Sequence, residues 1–174
     1  MSQYAKTLLP GDGEFVNIGT TTQTTFKALG KDTDGRLGLF EHRMEPGAPG
    51  ASPHVHREQL EAFYVLEGVV DIYLDGETIS APAGSYVQVP EDVPHGFHNP
   101  HSQSAKMLIF FSPGLNREEY FRRLGALYAD GRVASEEDLT ALMAEFDQFE
   151  VDYDGDVPGW GRHDHDTPIH EHAH

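Results

Sequence analysis

Four side chains in the middle of this chain are suited by type and spacing to hold a transition metal. His54 and His56 stand in Pro53-His54-Val55-His56, Glu61 follows the short stretch Arg57 to Leu60, and His95 comes later, behind Pro94. Successive side chains of a β-strand alternate faces, so His54 and His56, two apart, point the same way. Glu61 lies an odd number of residues beyond His56 and joins that face only if the chain turns between them. Arg57 to Leu60 can make that turn, after which Glu61-Ala62-Phe63-Tyr64-Val65-Leu66 reads as a fresh strand. Three imidazoles and a carboxylate form a mixed nitrogen and oxygen set, which suits Fe(II), Mn(II), Ni(II), Co(II) or Zn(II) rather than soft thiolate chemistry. Any one of these residues alone is more often an ordinary surface or strand residue; the joint spacing is what points to metal ligation.

Neighbouring residues carry weaker signals. His98 is three residues from His95 and in a strand faces the other way, which makes it structural or exposed. On the strand before the histidine pair, either His42 or, in the opposite phase, Arg43 lines the interior, and the alternation does not decide between them. Phe63 shares a strand face with Glu61, and Phe97 with His95, so each either walls a pocket or packs in the core. Asn99 is expected to support the turn after its strand.

Around these residues the chain reads as short strands separated by turns. Phe15 to Ile18 and Thr20 to Phe26 look like arm strands, and nothing in the first thirty-five residues looks catalytic. Leu37 to Met44 should be a strand, and Glu45 to Pro53 a Pro- and Gly-rich loop that delivers the histidine pair. Val69 to Leu74 and Glu77 to Ala81 flank Asp75-Gly76, a strong two-residue hairpin signal. Ser85 to Val89, His95 to Asn99 and Ala105 to Ser112 complete a pattern of an antiparallel sandwich or barrel rather than βαβ units. After Pro113 the period changes. Asn116-Arg117-Glu118-Glu119 has capping-box spacing and opens a helix striped by Tyr120, Phe121, Leu124, Leu127 and Tyr128, which Gly131 ends. Ser135 opens a second helix with Leu139, Leu142, Met143 and Phe146 on one face. Both stripes are expected to pack on the barrel.

The segment with the four candidate ligands resembles the two motifs of the cupin superfamily. The first motif lands on His54, His56, Glu61 and Gly68, the second on Gly84, Pro90, His95 and Asn99. Two positions depart from it: neither Gly47 nor Gly50 stands at the opening position of the first motif, and Asp92 replaces a glycine of the second. Both fall in turns, and Asp tolerates left-handed conformations. The flanks Gly30 to Arg36 and Ser112-Pro113-Gly114 look like those of small single-domain, quercetin-dioxygenase-like cupins. The resemblance implies an all-β double-stranded β-helix, a jelly-roll barrel, with two C-terminal helices. Its expected parts are arm strands in 1–35, the barrel in 36–113, helices packed on it in 114–150 and an acidic, His-rich tail in 151–174.

Composition narrows the partners. A formal charge of −17 on 174 residues disfavours nucleic acid and anionic membrane. The absence of cysteine removes disulfides, thiolate metal sites and cysteine nucleophiles. The N-terminus lacks an apolar signal core and no run is long enough to span a bilayer, so a cytoplasmic protein is expected. His163, His165, His170, His172 and His174 lie among acidic residues in the tail, where weak metal binding competes with the plainer reading of a polar end.

The resemblance implies one divalent metal on His54, His56, Glu61 and His95, a small-molecule substrate, dioxygen as co-substrate and a homodimer. The leading expectation is a quercetinase-like dioxygenase acting on a small aromatic or enol substrate, with Glu61 as ligand or as base toward the substrate hydroxyl. A redox-neutral isomerase, cyclase or lyase is the second expectation, and a non-catalytic ligand-binding cupin the third.

Overall fold

Alternating burial along short strands folds the chain into two antiparallel sheets that face each other across a shared interior. The computed structural model describes residues 5–157 and 160. The first sheet contains β1 (Phe15–Ile18), β2 (Thr22–Ala28), β3 (Gly38–Met44), β5 (Leu60–Glu67), β8 (Tyr86–Val89) and β10 (Ala105–Ser112), in the order β1-β2-β3-β10-β5-β8. The second contains β4 (Ala51–Val55), β6 (Val69–Leu74), β7 (Glu77–Pro82), β9 (His95–His98) and β11 (Phe149–Glu150), in the order β11-β4-β9-β6-β7. Helices α1 (Arg117–Leu127) and α2 (Glu136–Glu145) follow the last long strand. This is the expected jelly roll of two antiparallel sheets with two C-terminal helices.

The inner faces are set by the period of two. On β3 the buried positions are Gly38, Phe40, His42 and Met44, and on β10 they are Ala105, Met107, Ile109 and Phe111. Phe40, Phe63, Met107 and Ile109, all buried, anchor a core that owes nothing to a metal. Asp75 and Gly76 both take left-handed conformations, φ 47° and 95°, as a two-residue hairpin with right-handed strand twist requires. Asp92 has φ 65°, so it adopts the backbone that the motif's glycine would supply, and its amide donates to the carbonyl of His56 at 2.8 Å.

Two local expectations change. The loop before the histidine pair ends at Gly50, not at Pro53, because β4 pairs with β9 from Ala51 onward. Gly50 lies against the backbone carbonyl of Phe97 with φ 61°, a place where any Cβ would collide. The capping box at α1 is not formed: Asn116 makes no side-chain cap, and Arg117 and Glu118 are buried in tertiary contacts instead. Ser135 does cap α2, its hydroxyl oxygen accepting from the Asp138 amide at 3.1 Å. The chain then returns as β11 along the edge of β4, pairing Phe149 with Val55 and Glu150 with His54. No helix among the described residues is long and apolar enough to cross a membrane. The five tail histidines lie outside the described residues.

Candidate metal centre

His54, His56 and His95 come from the second sheet or its margin and Glu61 from the first, so the cluster closes across the barrel interior. β4 pairs with β9 so that His54 stands directly opposite His95. His56 follows β4, the chain turns through Arg57 to Gln59, and Glu61 enters β5 pointing back at all three imidazoles. Glu61 Oε2 lies 2.5 Å from His95 Nε2, 2.8 Å from His56 Nε2 and 3.9 Å from His54 Nε2. One ligand atom from each residue lies within 4.8 Å of every other, and all four residues are buried.

The outer nitrogens settle the chemistry of the inner ones. Each Nδ1 faces a backbone carbonyl, which only accepts: His54 donates to Ser52 at 2.7 Å, His56 to Asp147 at 2.6 Å and His95 to Val93 at 2.9 Å. A neutral imidazole with its proton on Nδ1 presents a bare lone pair at Nε2. Three such lone pairs and a carboxylate therefore converge without a donor between them, an arrangement that calls for a cation. The donor set fits a divalent transition metal.

Electrostatics point the same way. Burial, reinforced by His95 and His56, pushes the His54 imidazole down to about 3. Burial acts to raise the Glu61 carboxyl, but the imidazoles around it prevail and hold it well below the ordinary carboxylate value. For His95 burial opposes the charge, and the adjacent Glu61 carboxylate overrides it, so that its pKa is raised.

The turn that carries the ligands is braced from a distance. Asp147, with φ 57°, accepts the amides of Arg57 and Glu58 on its carboxylate at 2.9 Å each. Arg117 is buried over the rings of Phe111 and Tyr120. It donates to Gln59 Oε1 and to the Phe146 carbonyl, both at 2.5 Å, and to Gln148 Oε1 at 3.2 Å. Sequence reasoning missed Arg117, Asp147 and Gln148, because no spacing links them to the histidines.

Beside the cluster lies a cavity of about 340 Å³, reached by His54 and Glu61. Its walls include Phe97, Phe111, Tyr120, Phe121, Leu124 and Met143. The helical stripes therefore do more than pack on the barrel, since they close this cavity. The β1–β2 turn, Gly19 to Thr21, lines it too, although the first thirty-five residues carried no such sign. His42 rather than Arg43 faces inward; Arg43 is exposed and pairs with Glu45 at 3.1 Å. Phe97 walls the cavity, whereas Phe63 packs in the core. His98 faces away from the cluster, its ring 4.9 Å from that of Trp160. Asn99 braces the turn, donating to the carbonyls of Gln103 at 2.8 Å and Met44 at 3.1 Å.

Comparison with known proteins agrees with this geometry. The Cupin domain family model matches residues 40–111, the span that contains all four cluster residues. Polyketide synthase CurC of Streptomyces cyaneus is 37% identical over 81 residues, covering 47% of this chain and 51% of that protein. Quercetin 2,3-dioxygenase of Bacillus subtilis (strain 168) is 33% identical over 118 residues, covering 68% of this chain and 34% of that protein. The matches thus span from about a third to about half of these relatives' own length. Among solved structures, an RmlC-like cupin from Shewanella frigidimarina superposes with a TM-score of 0.57 at 24% identity, over 69% of this chain and 99% of that one. By fold and by sequence, this chain belongs to the cupin superfamily.

Proposed function

We propose that this protein is a metal-dependent dioxygenase acting on a small aromatic or enol substrate, of the flavonol-cleaving kind. The observation that carries the reading is a buried three-histidine, one-glutamate cluster opening on an aromatic-walled cavity of about 340 Å³. That volume lies at the lower end of the roughly 300–1,000 Å³ of small-molecule sites. None of the described lining residues is Lys or Arg, so the cavity offers a phosphate no fixed cationic side chain, which favours an uncharged, hydroxylated ring system over a sugar phosphate. The match to quercetin 2,3-dioxygenase supports the same choice.

When bound, a divalent ion on His54, His56, Glu61 and His95 supplies Lewis acidity toward a substrate oxygen and, if redox-active, access to dioxygen chemistry. The protein's own share is positioning and proton transfer. The three Nδ1–H bonds to carbonyls fix the imidazoles. The close contacts of Glu61 with the histidines are made by Oε2; Oε1 has no partner among the described residues and belongs to a cavity-lining side chain. Glu61, held ionised, is placed to take the proton of a substrate hydroxyl at Oε1. The aromatic walls exclude water and orient the ring.

The match to polyketide synthase CurC favours a second reading, in which a polyketide-like enol is cyclised or isomerised with no change of oxidation state. An oxygen electrode separates the two. Metal-loaded protein with a flavonol should consume dioxygen in step with flavonol loss, and the loss should stop under anaerobic conditions. Loss that continues without dioxygen supports the redox-neutral reading instead. Binding without loss of any candidate substrate reduces the protein to a ligand-binding cupin.

A further inference from the structure

His42 stands apart from the metal cluster, yet it is the other histidine whose side chain faces the same cavity. β2 and β3 place Thr24 directly opposite His42, and the Thr24 hydroxyl meets His42 Nδ1 at 2.9 Å. Thr24 itself is fully buried and does not line the cavity, so the ring edge left to meet the cavity carries Nε2. That nitrogen has no partner among the described residues. Nor is it one of the sealed-off side-chain polar atoms that lack a partner, which among those residues are His98 Nδ1 and Arg117 Nε. The ring is held edge-on to Phe97, with centroids 5.4 Å apart, and against Phe121 at 6.4 Å. A fixed imidazole in an aromatic wall, with one nitrogen occupied and the other open to the cavity, offers a hydrogen-bonding site that a ligand hydroxyl can take over from water.

We propose that His42 is the specificity-determining residue of the cavity, its Nε2 forming a hydrogen bond with a hydroxyl on an aromatic ligand. Burial, opposed only weakly by Glu61, holds this imidazole down to about 4, so it works as a neutral group. The Thr24 hydroxyl can donate or accept, and the pair can therefore offer either a lone pair or an N–H at Nε2, matching a hydroxyl in either sense. The inference rests on the cavity being the substrate site of the proposed reaction, but not on the metal or on dioxygen.

The test crosses the residue with the ligand hydroxyl. Full-length wild type, His42→Phe and His42→Gln are titrated calorimetrically with 2-naphthol and with naphthalene, after circular dichroism and metal content show each variant intact. Wild type should bind 2-naphthol about tenfold tighter than naphthalene, the scale of one buried hydrogen bond. His42→Phe should bind both alike, and His42→Gln, which keeps an amide donor and acceptor, should recover part of the preference. The proposal is overturned if His42→Phe keeps the wild-type preference, or if wild type shows none or binds neither compound. A hydroxyl preference that depends on His42 in a protein without flavonol turnover would leave this proposal standing and remove only the dioxygenase reading.

Discussion

The backbone carbonyl of Asp147 accepts a 2.6 Å hydrogen bond from His56 Nδ1 across a sequence separation of 91 residues. The histidine–glutamate cluster is therefore braced by chain remote in sequence, with the segment after α2, which runs into β11 along β4, orienting His56. Asp147→Ala removes the carboxylate that holds the Arg57 and Glu58 amides and strains a left-handed backbone position. The carbonyl that accepts from His56 Nδ1 remains, so the effect reaches the imidazole through the loosened turn, and disturbing the outer contacts that orient a ligand typically costs about 10- to 100-fold in metal affinity. Competition with a chelator should show a loss on that scale in Asp147→Ala. An unchanged affinity in a folded variant would mean that the C-terminal segment does not set the site.

A second prediction concerns acid. Burial lowers the His42 pKa from 6.5 to about 4, so between those values the unfolded chain binds a proton that the folded chain refuses. Stability from this residue is complete above about pH 6.5 and is lost as pH falls toward about 4. Between about pH 7.5 and about pH 5 the loss amounts to about 2 kcal/mol. Urea denaturation of metal-free wild type and His42→Phe at both values should show the wild type losing that much more. Parallel losses would mean that His42 is protonated at little cost.

What the sequence made legible here was local. Alternation placed His54 and His56 on one face, the turn expected at Arg57 to Leu60 brought Glu61 round although β5 already starts at Leu60, and Asp75-Gly76 marked a hairpin, all from residues a few positions apart. Arg117 was hidden for the opposite reason: its partners Gln59, Phe146 and Gln148 lie 58, 29 and 31 residues away, and nothing in its helix marks it as buried. The cap at Asn116 was misread because tertiary contacts outbid a local pattern. Glu118 turns to accept the Gly30 amide at 3.2 Å, and Arg117 dives under the ligand turn. Thr24 became significant only once β2 was laid against β3.

Glu61 is asked to do two things, and one substitution separates them. Glu61→Gln keeps the shape and an oxygen donor, so metal should stay bound, though more weakly for the loss of a negative charge against a divalent ion. Turnover per bound metal should fall roughly a hundredfold or more if Glu61 takes the substrate proton, the scale of general-base catalysis. Comparable turnover per bound metal in the two proteins would leave Glu61 a ligand alone.

If His54, His56, Glu61 and His95 hold one metal ion, the metal content of the protein reports it. The measurement is elemental analysis after dialysis, on protein cut after Trp160 so that the five tail histidines contribute nothing, in wild type, His56→Ala and His95→Ala. Wild type should hold one metal ion per chain. Each variant should hold almost none while circular dichroism remains that of a folded β protein, since Phe40, Phe63, Met107 and Ile109 hold the core without it. One tightly held ion per chain in either folded variant would contradict the assignment.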